Sequence, residues 1–168
     1  MNSEKIEKND EISYEERKRR WKEIEQKFER DEDMDKKIFQ TVVALNALGV
    51  ETIKSCQGHL TDFKPSPHVE LLTPKSNLLT GKNEEVAEIE YQQLIQKINS
   101  LLSEFYEGIE TESDAEIELG LSRMENLVLR NGVEDYTSVK NITEKQLTAY
   151  QNEFEEFAKF LRTKYFSE

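Results

Sequence analysis

Residues 45–59 read LNALGVETIKSCQGH, and this stretch decides the fold. Apolar residues at three- and four-residue spacings lead into it, which predicts a buried helix that ends at Leu48. Gly49 follows where a left-handed residue is wanted to terminate a helix. The next segment, Val50–Cys56, is short and rich in branched residues, which is typical of a strand. Gly58 then predicts a tight turn directly after that strand.

The rest of the chain predicts further helices around a small sheet. Acidic residues 31–33 are expected to cap the helix that ends at Leu48. The longest uninterrupted element is expected over Asn83–Tyr106, where apolar residues repeat at alternating spacings of four and three. A capping-box spacing opens an aromatic last helix at Thr143. Similar patterns predict a first helix over Tyr14–Arg30 and further strands over His68–Leu72, Ile117–Leu121 and Leu127–Leu129.

These elements together predict an α+β fold with a small, mostly antiparallel four-stranded sheet covered by several helices. Residues 1–13 are polar and charged and contain two isolated isoleucines, which bury too little to offset the entropy of ordering. A disordered tail is therefore expected at residues 1–13. One α+β domain is expected over residues 14–168, a length that can bury a core without disulfides or a structural metal.

The composition restricts the classes of partner and compartment. Thirty-five acidic and 23 basic residues give a net charge of -12, which disfavours binding to nucleic acid or to anionic lipid through long-range repulsion. The mean hydropathy of -0.79 and the lack of a long apolar run argue against a membrane span. The first eight residues do not resemble a secretory signal, so a cytoplasmic location is expected. The single cysteine excludes an internal disulfide and a four-cysteine zinc site.

The chain's cysteine and both its histidines fall within thirteen residues of one another, as Cys56, His59 and His68. Glu70 lies two positions beyond His68 and would share a strand face with it. If the strand that begins near His68 lies beside the one that ends at Cys56, these side chains are expected to meet around a partly open cleft.

Three interpretations of this cluster remain open. The first is a metal site in which Cys56, His59, His68 and Glu70 bind a zinc-like divalent ion, since these residue types can supply the three or four ligands required. The second is covalent catalysis by Cys56, activated by His59 or His68 and oriented by Glu70. The third is structural: Cys56 belongs to the core, Gly58 permits the turn, and His59 holds the turn closed by a hydrogen bond to loop backbone.

The stretch that begins at Leu45, with Pro67-His68-Val69 after it, resembles a Leu-Gly-Ile-x-Thr-x-x-Ser-Cys-x-Gly-His motif shared by small bacterial and phage proteins. The resemblance covers about twenty-five residues and singles out Cys56 and His59 without implying a reaction.

A weaker similarity is to the wybutosine-synthesising methyltransferase family, whose segment reads Thr-x-Ser-Ser-Cys-Ser-Gly-Arg. Here His59 replaces the arginine, the doubled serine is absent, and the net charge of -12 is unfavourable for a transfer-RNA substrate. S-adenosylmethionine chemistry is therefore not carried over to this chain. The residues that match loosely are Asn46, Thr52, Ser55, Cys56 and Gly58.

Two classes of function are compatible with the sequence. The first is a binding or regulatory module whose helical faces, above all the aromatic face of the helix from Thr143, dock on a protein partner or on a second copy of the chain. The alternative is a small enzyme or a metal- or ligand-binding protein that uses the Ser55–His59 segment.

Overall fold

The computed structural model contains four helices and four strands in its described residues, which are 13–31, 33–60, 66–74, 83–109, 114–122, 126–131 and 142–167. In chain order the elements are α1 (Tyr14–Glu29), α2 (Lys36–Ala47), β1 (Thr52–Cys56), β2 (His68–Leu71), α3 (Glu84–Phe105), β3 (Ile117–Leu121), β4 (Leu127–Asn131) and α4 (Glu144–Phe166). The predicted α+β class is confirmed. Residues 1–12 of the expected tail lie outside the described residues, whereas Ser13 caps α1 by accepting a hydrogen bond from the Glu16 amide.

The four strands form one antiparallel sheet in the order β1-β2-β4-β3. Strand β1 is therefore an edge strand, and its pairing with β2 contains an irregularity between Thr52 and Lys54. The register places Cys56 opposite His68 and His68 opposite Arg130. Because directly paired residues project to the same face of a sheet, these three residues share one face.

The other face of the sheet packs into the hydrophobic core. Val69, Leu71 and Leu129 are completely buried there, together with side chains from all four helices. Helix α2 supplies the most continuous buried surface and contacts α1, α4 and β1. This packing fixes the N-terminus of α2 relative to the strand that ends at Cys56.

The glycines and the capping box of the last helix are found where they were predicted. Gly49 has φ of 77° and Gly58 has φ of 81°, a region that L side chains avoid. At the start of α4 the Thr143 side chain accepts from the Gln146 amide, and the Gln146 side chain accepts in return from the Thr143 amide.

Two predictions about the helices were wrong. Helix α3, with 22 residues, is one residue shorter than α4, with 23, because α4 also lacks Gly and Pro and is held at its start by the capping box. Helix α2 is preceded by Asp35 rather than capped by residues 31–33, and the Asp35 side chain makes no capping hydrogen bond. Among residues 31–33, Asp31 accepts from the Asp33 amide and so closes a local turn.

Within the described parts of the chain, none of the helices combines the length and the apolar character needed to cross a bilayer.

Candidate functional site

The candidate site lies where the end of β1 meets the start of α2. Asp35 is the N-cap residue of α2, with φ of -63° and ψ of 122°. Ser, Thr, Asp and Asn are favoured at this position because the side chain can accept from the first helical amides. The Asp35 carboxylate instead turns toward the end of β1, where its Oδ2 accepts from the Gln57 amide at 2.9 Å.

Cys56 is the last residue of β1 and is partly buried. The left-handed conformation of Gly58 folds the chain back, so that the Gly58 amide donates to Cys56 Sγ at 3.4 Å. A backbone N–H aimed at sulfur stabilises negative charge on it. The thiolate is the form of cysteine that binds metals and attacks electrophiles.

His59 completes the group. Its Nε2 lies 3.8 Å from Asp35 Oδ2, and the His59 and Asp35 side chains are 44% and 26% exposed. One ligand atom from each of Asp35, Cys56 and His59 lies within 4.8 Å of the other two. A carboxylate, a thiol and an imidazole thus converge at a partly exposed position on the edge of the sheet.

Gln57 fixes this group to the helices. While its amide donates to Asp35, its side-chain Oε1 accepts from the Lys37 amide at 3.1 Å, and so takes the capping place at α2 that Asp35 leaves empty. Its backbone carbonyl accepts from Gln151 Nε2 of α4 at 2.9 Å. The segment between Cys56 and His59 is therefore held by hydrogen bonds to two helices.

His68 and Glu70 lie outside the group of converging ligand atoms in the described structure. The backbone of His68 faces Cys56, but its ring is buried and its Nδ1 lies 3.2 Å from the Ser66 carbonyl oxygen. Glu70 faces Lys54 on β1. The structure thus brings together two of the four residues singled out in the sequence, Cys56 and His59, and adds Asp35.

Asp35 was not predicted from the sequence. It ends the mostly acidic segment Asp31-Glu32-Asp33-Met34-Asp35, and nothing in that segment marks the last carboxylate as a metal ligand. Asp35 is set apart by a contact with Gln57, 22 positions away. Its position directly before the first apolar turn of a helix was the one available signal, and that signal indicates a cap rather than a ligand.

The three side chains could hold a metal ion. Zinc bound tetrahedrally to a histidine nitrogen and a carboxylate oxygen would hold these two atoms about 3.4 Å apart. The 3.8 Å between His59 Nε2 and Asp35 Oδ2 is close to this value, so a small rotation of the exposed imidazole would bring both atoms onto one ion. The Gln57 amide, which donates to the same Oδ2, would orient the carboxylate, as outer hydrogen bonds do at metal sites.

A second set of ionisable groups lies between α4 and the start of β3. The Tyr106 hydroxyl accepts from the Ile117 amide at 2.7 Å, and burial raises the pKa of Tyr106. Burial also raises the pKa of Glu153, with which Tyr106 shares a hydrogen bond and which lies near Glu116 and Glu156. These contacts join α3, α4 and β3, and they indicate a structural role.

Comparisons with family models, with curated proteins and with solved structures returned no match to this chain.

Proposed function

We propose that the protein binds a divalent metal of the zinc class through Asp35, Cys56 and His59, and that the metal keeps an open coordination position. The observation that carries this proposal is the convergence of the three ligand atoms within 4.8 Å of one another. Three protein ligands with a fourth position left for water or substrate is the arrangement found at catalytic zinc sites, whereas structural zinc sites have four protein ligands.

The chemistry of the donors supports the choice of metal. Thiolate and imidazole ligands favour zinc and its neighbours in the first transition series, while magnesium and calcium prefer sites made of oxygen atoms alone. Asp35, Cys56 and His59 provide one oxygen, one sulfur and one nitrogen atom. Because all three side chains are partly exposed, an ion bound there is accessible to a small molecule from solvent. A water molecule bound to the metal would be activated for attack on that small molecule.

Zinc titration of the full chain tests this proposal. We expect one zinc ion per chain by isothermal calorimetry, and sulfur-to-metal charge-transfer absorption when cobalt is substituted. Asp35→Ala, Cys56→Ser and His59→Ala should each weaken binding strongly while the circular dichroism spectrum stays that of a folded protein. His68→Gln is the matched control, because it removes the chain's other imidazole and should leave zinc binding unchanged. Equal loss in His68→Gln, or no binding by the wild type, would refute the proposed site.

A second candidate function, thiol chemistry at Cys56, is supported by the hydrogen bond from the Gly58 amide to Sγ. In that case Cys56 is the nucleophile, His59 the base, and Asp35 the group near the imidazole. Alkylation by iodoacetamide separates the two candidates. A metal site predicts slow alkylation with zinc bound and faster alkylation after chelation. A catalytic thiol predicts rapid alkylation without regard to zinc, and a loss of rate in His59→Ala.

A binding module that docks through the aromatic face of α4 receives less support. Tyr150, Phe154, Phe157 and Leu161 of that face are buried in the hydrophobic core or against it. The aromatic face of α4, which was predicted to bind a partner, is therefore packed inside the protein, and α4 contacts α1 and α2.

A further inference from the structure

We infer that Gln57 is the positioning residue of the site: by capping α2 in place of Asp35, it keeps the Asp35 carboxylate turned toward Cys56 and His59. This inference rests on the proposed metal site, and it explains why the Asp35 carboxylate is available as a ligand. The observation behind it is an exchange of partners between Asp35 and Gln57.

Two hydrogen bonds make up the exchange. The Asp35 carboxylate accepts from the Gln57 backbone amide at 2.9 Å, and the Gln57 side chain accepts from the Lys37 amide at 3.1 Å. Lys37 is the second residue of α2, and its amide is among those that an N-cap side chain normally satisfies. Asp35 thus satisfies the amide of Gln57, while the Gln57 side chain satisfies an amide of α2 from which the Asp35 side chain would otherwise accept.

Asp35 has an alternative position close at hand. Its backbone already has the extended conformation of an N-cap residue, with φ of -63° and ψ of 122°. Rotation of its side chain would bring the carboxylate onto the amides of the first turn of α2. The carboxylate therefore has two competing positions, one as a cap and one toward Cys56 and His59, and Gln57 occupies the first.

Contacts between α2 and α4 keep Gln57 in place. Gln151 of α4 donates to the Gln57 carbonyl at 2.9 Å. Lys37 forms an ion pair with Glu155 at 3.0 Å, and the Thr41 hydroxyl donates to the Phe154 carbonyl at 2.9 Å. These contacts hold the Gln57 backbone beside the N-terminus of α2. We therefore expect the position of the Asp35 carboxylate to depend on whether the Gln57 side chain caps α2.

Zinc affinity of the full chain gives the first test. Gln57→Met keeps the length of the side chain and removes the acceptor, so Asp35 should return to the helix and zinc affinity should fall about 10- to 100-fold, as for other outer partners of metal ligands. Gln57→Glu restores an acceptor for the Lys37 amide and should restore most of the affinity. Gln92→Ala, on the exposed face of α3, is the matched glutamine control and should have no effect. Wild-type affinity in Gln57→Met would overturn the inference.

The second test needs no metal and separates this inference from the proposed function. In metal-free protein, the urea midpoint of Gln57→Met should stay near that of the wild type, since Asp35 replaces the lost cap. The Asp35→Ala/Gln57→Met double variant has neither cap. Its loss of unfolding free energy should exceed the sum of the losses in the two single variants. If the losses of unfolding free energy are additive, Asp35 does not replace Gln57 as the cap of α2, and the inference is overturned even if zinc binds. Absence of zinc binding together with a non-additive cycle would refute the metal site alone.

Discussion

The N-termini of α2 and α4 meet the same requirement in different ways. Helix α4 is capped locally, by Thr143 and Gln146 three positions apart. Helix α2 is capped from a distance by Gln57, while the acidic residue at its own N-cap position points elsewhere. A local cap stabilises one helix. The distant cap of α2 also fixes the turn after β1, and it leaves the Asp35 carboxylate directed toward Cys56 and His59. The proposed metal site therefore lies at the helix start that is capped from a distance.

The largest expected effect concerns zinc. Cys56→Ser should lower zinc affinity by more than about 100-fold, because a direct ligand matters at least as much as an outer partner. Thr143→Ala, at the other helix start, should leave zinc affinity unchanged. Competition with a chromophoric chelator measures both variants. Similar losses of zinc affinity in Cys56→Ser and Thr143→Ala would contradict a metal site at the start of α2.

The next effect concerns two glycines of similar backbone conformation, Gly58 with φ of 81° and Gly108 with φ of 75°. Alanine at either position should cost about 1–2 kcal/mol of unfolding free energy, since L residues avoid this region. Gly58→Ala alone should also weaken zinc binding, because alanine disfavours the positive φ that directs this amide at Cys56 Sγ. Urea denaturation and zinc titration of both variants make the comparison. Unchanged zinc binding in Gly58→Ala would show that the turn does not position the site.

Helix caps give a smaller difference. Thr143→Ala should cost about 1 kcal/mol of unfolding free energy, because it removes the hydroxyl that accepts from the Gln146 amide in the capping box of α4. Gln57→Met should cost less, since Asp35 can take over at α2. Urea denaturation of the metal-free variants measures both. A larger cost at Gln57 than at Thr143 would contradict the difference between the two helix ends.

The smallest effect concerns Glu153, in the middle of α4 and away from both caps. Burial raises the pKa of this carboxyl, so the folded state holds its proton more tightly than the unfolded state. Glu153 therefore lowers stability as pH rises from the ordinary carboxyl range through its folded pKa. Glu153→Gln should flatten that decline and stabilise the protein slightly at neutral pH. Thermal melts between pH 4 and 8 check this, and an unchanged pH profile would contradict it.

The sequence predicted the features that depend on local chemistry. Gly49 ends α2 because a left-handed residue is needed there, and the Thr143 capping box depends on two residues three positions apart. Asp35 could not be singled out because its partner, Gln57, is brought to it by the packing of β1 on α2. His68 was expected in the group because its strand neighbours β1, and it does face Cys56 across the sheet. Register fixes the backbone pairing, but the ring lies beside the Ser66 carbonyl.

X-ray absorption spectroscopy of the zinc-loaded full chain tests the central claim most directly. Ligation by Asp35, Cys56 and His59 should give one sulfur at about 2.3 Å and a single imidazole, with the remaining positions filled by oxygen atoms. The spectrum of His68→Gln should be the same as that of the wild type. Two imidazoles in the wild type, reduced to one in His68→Gln, would contradict the site and would favour the ligand set that includes His68.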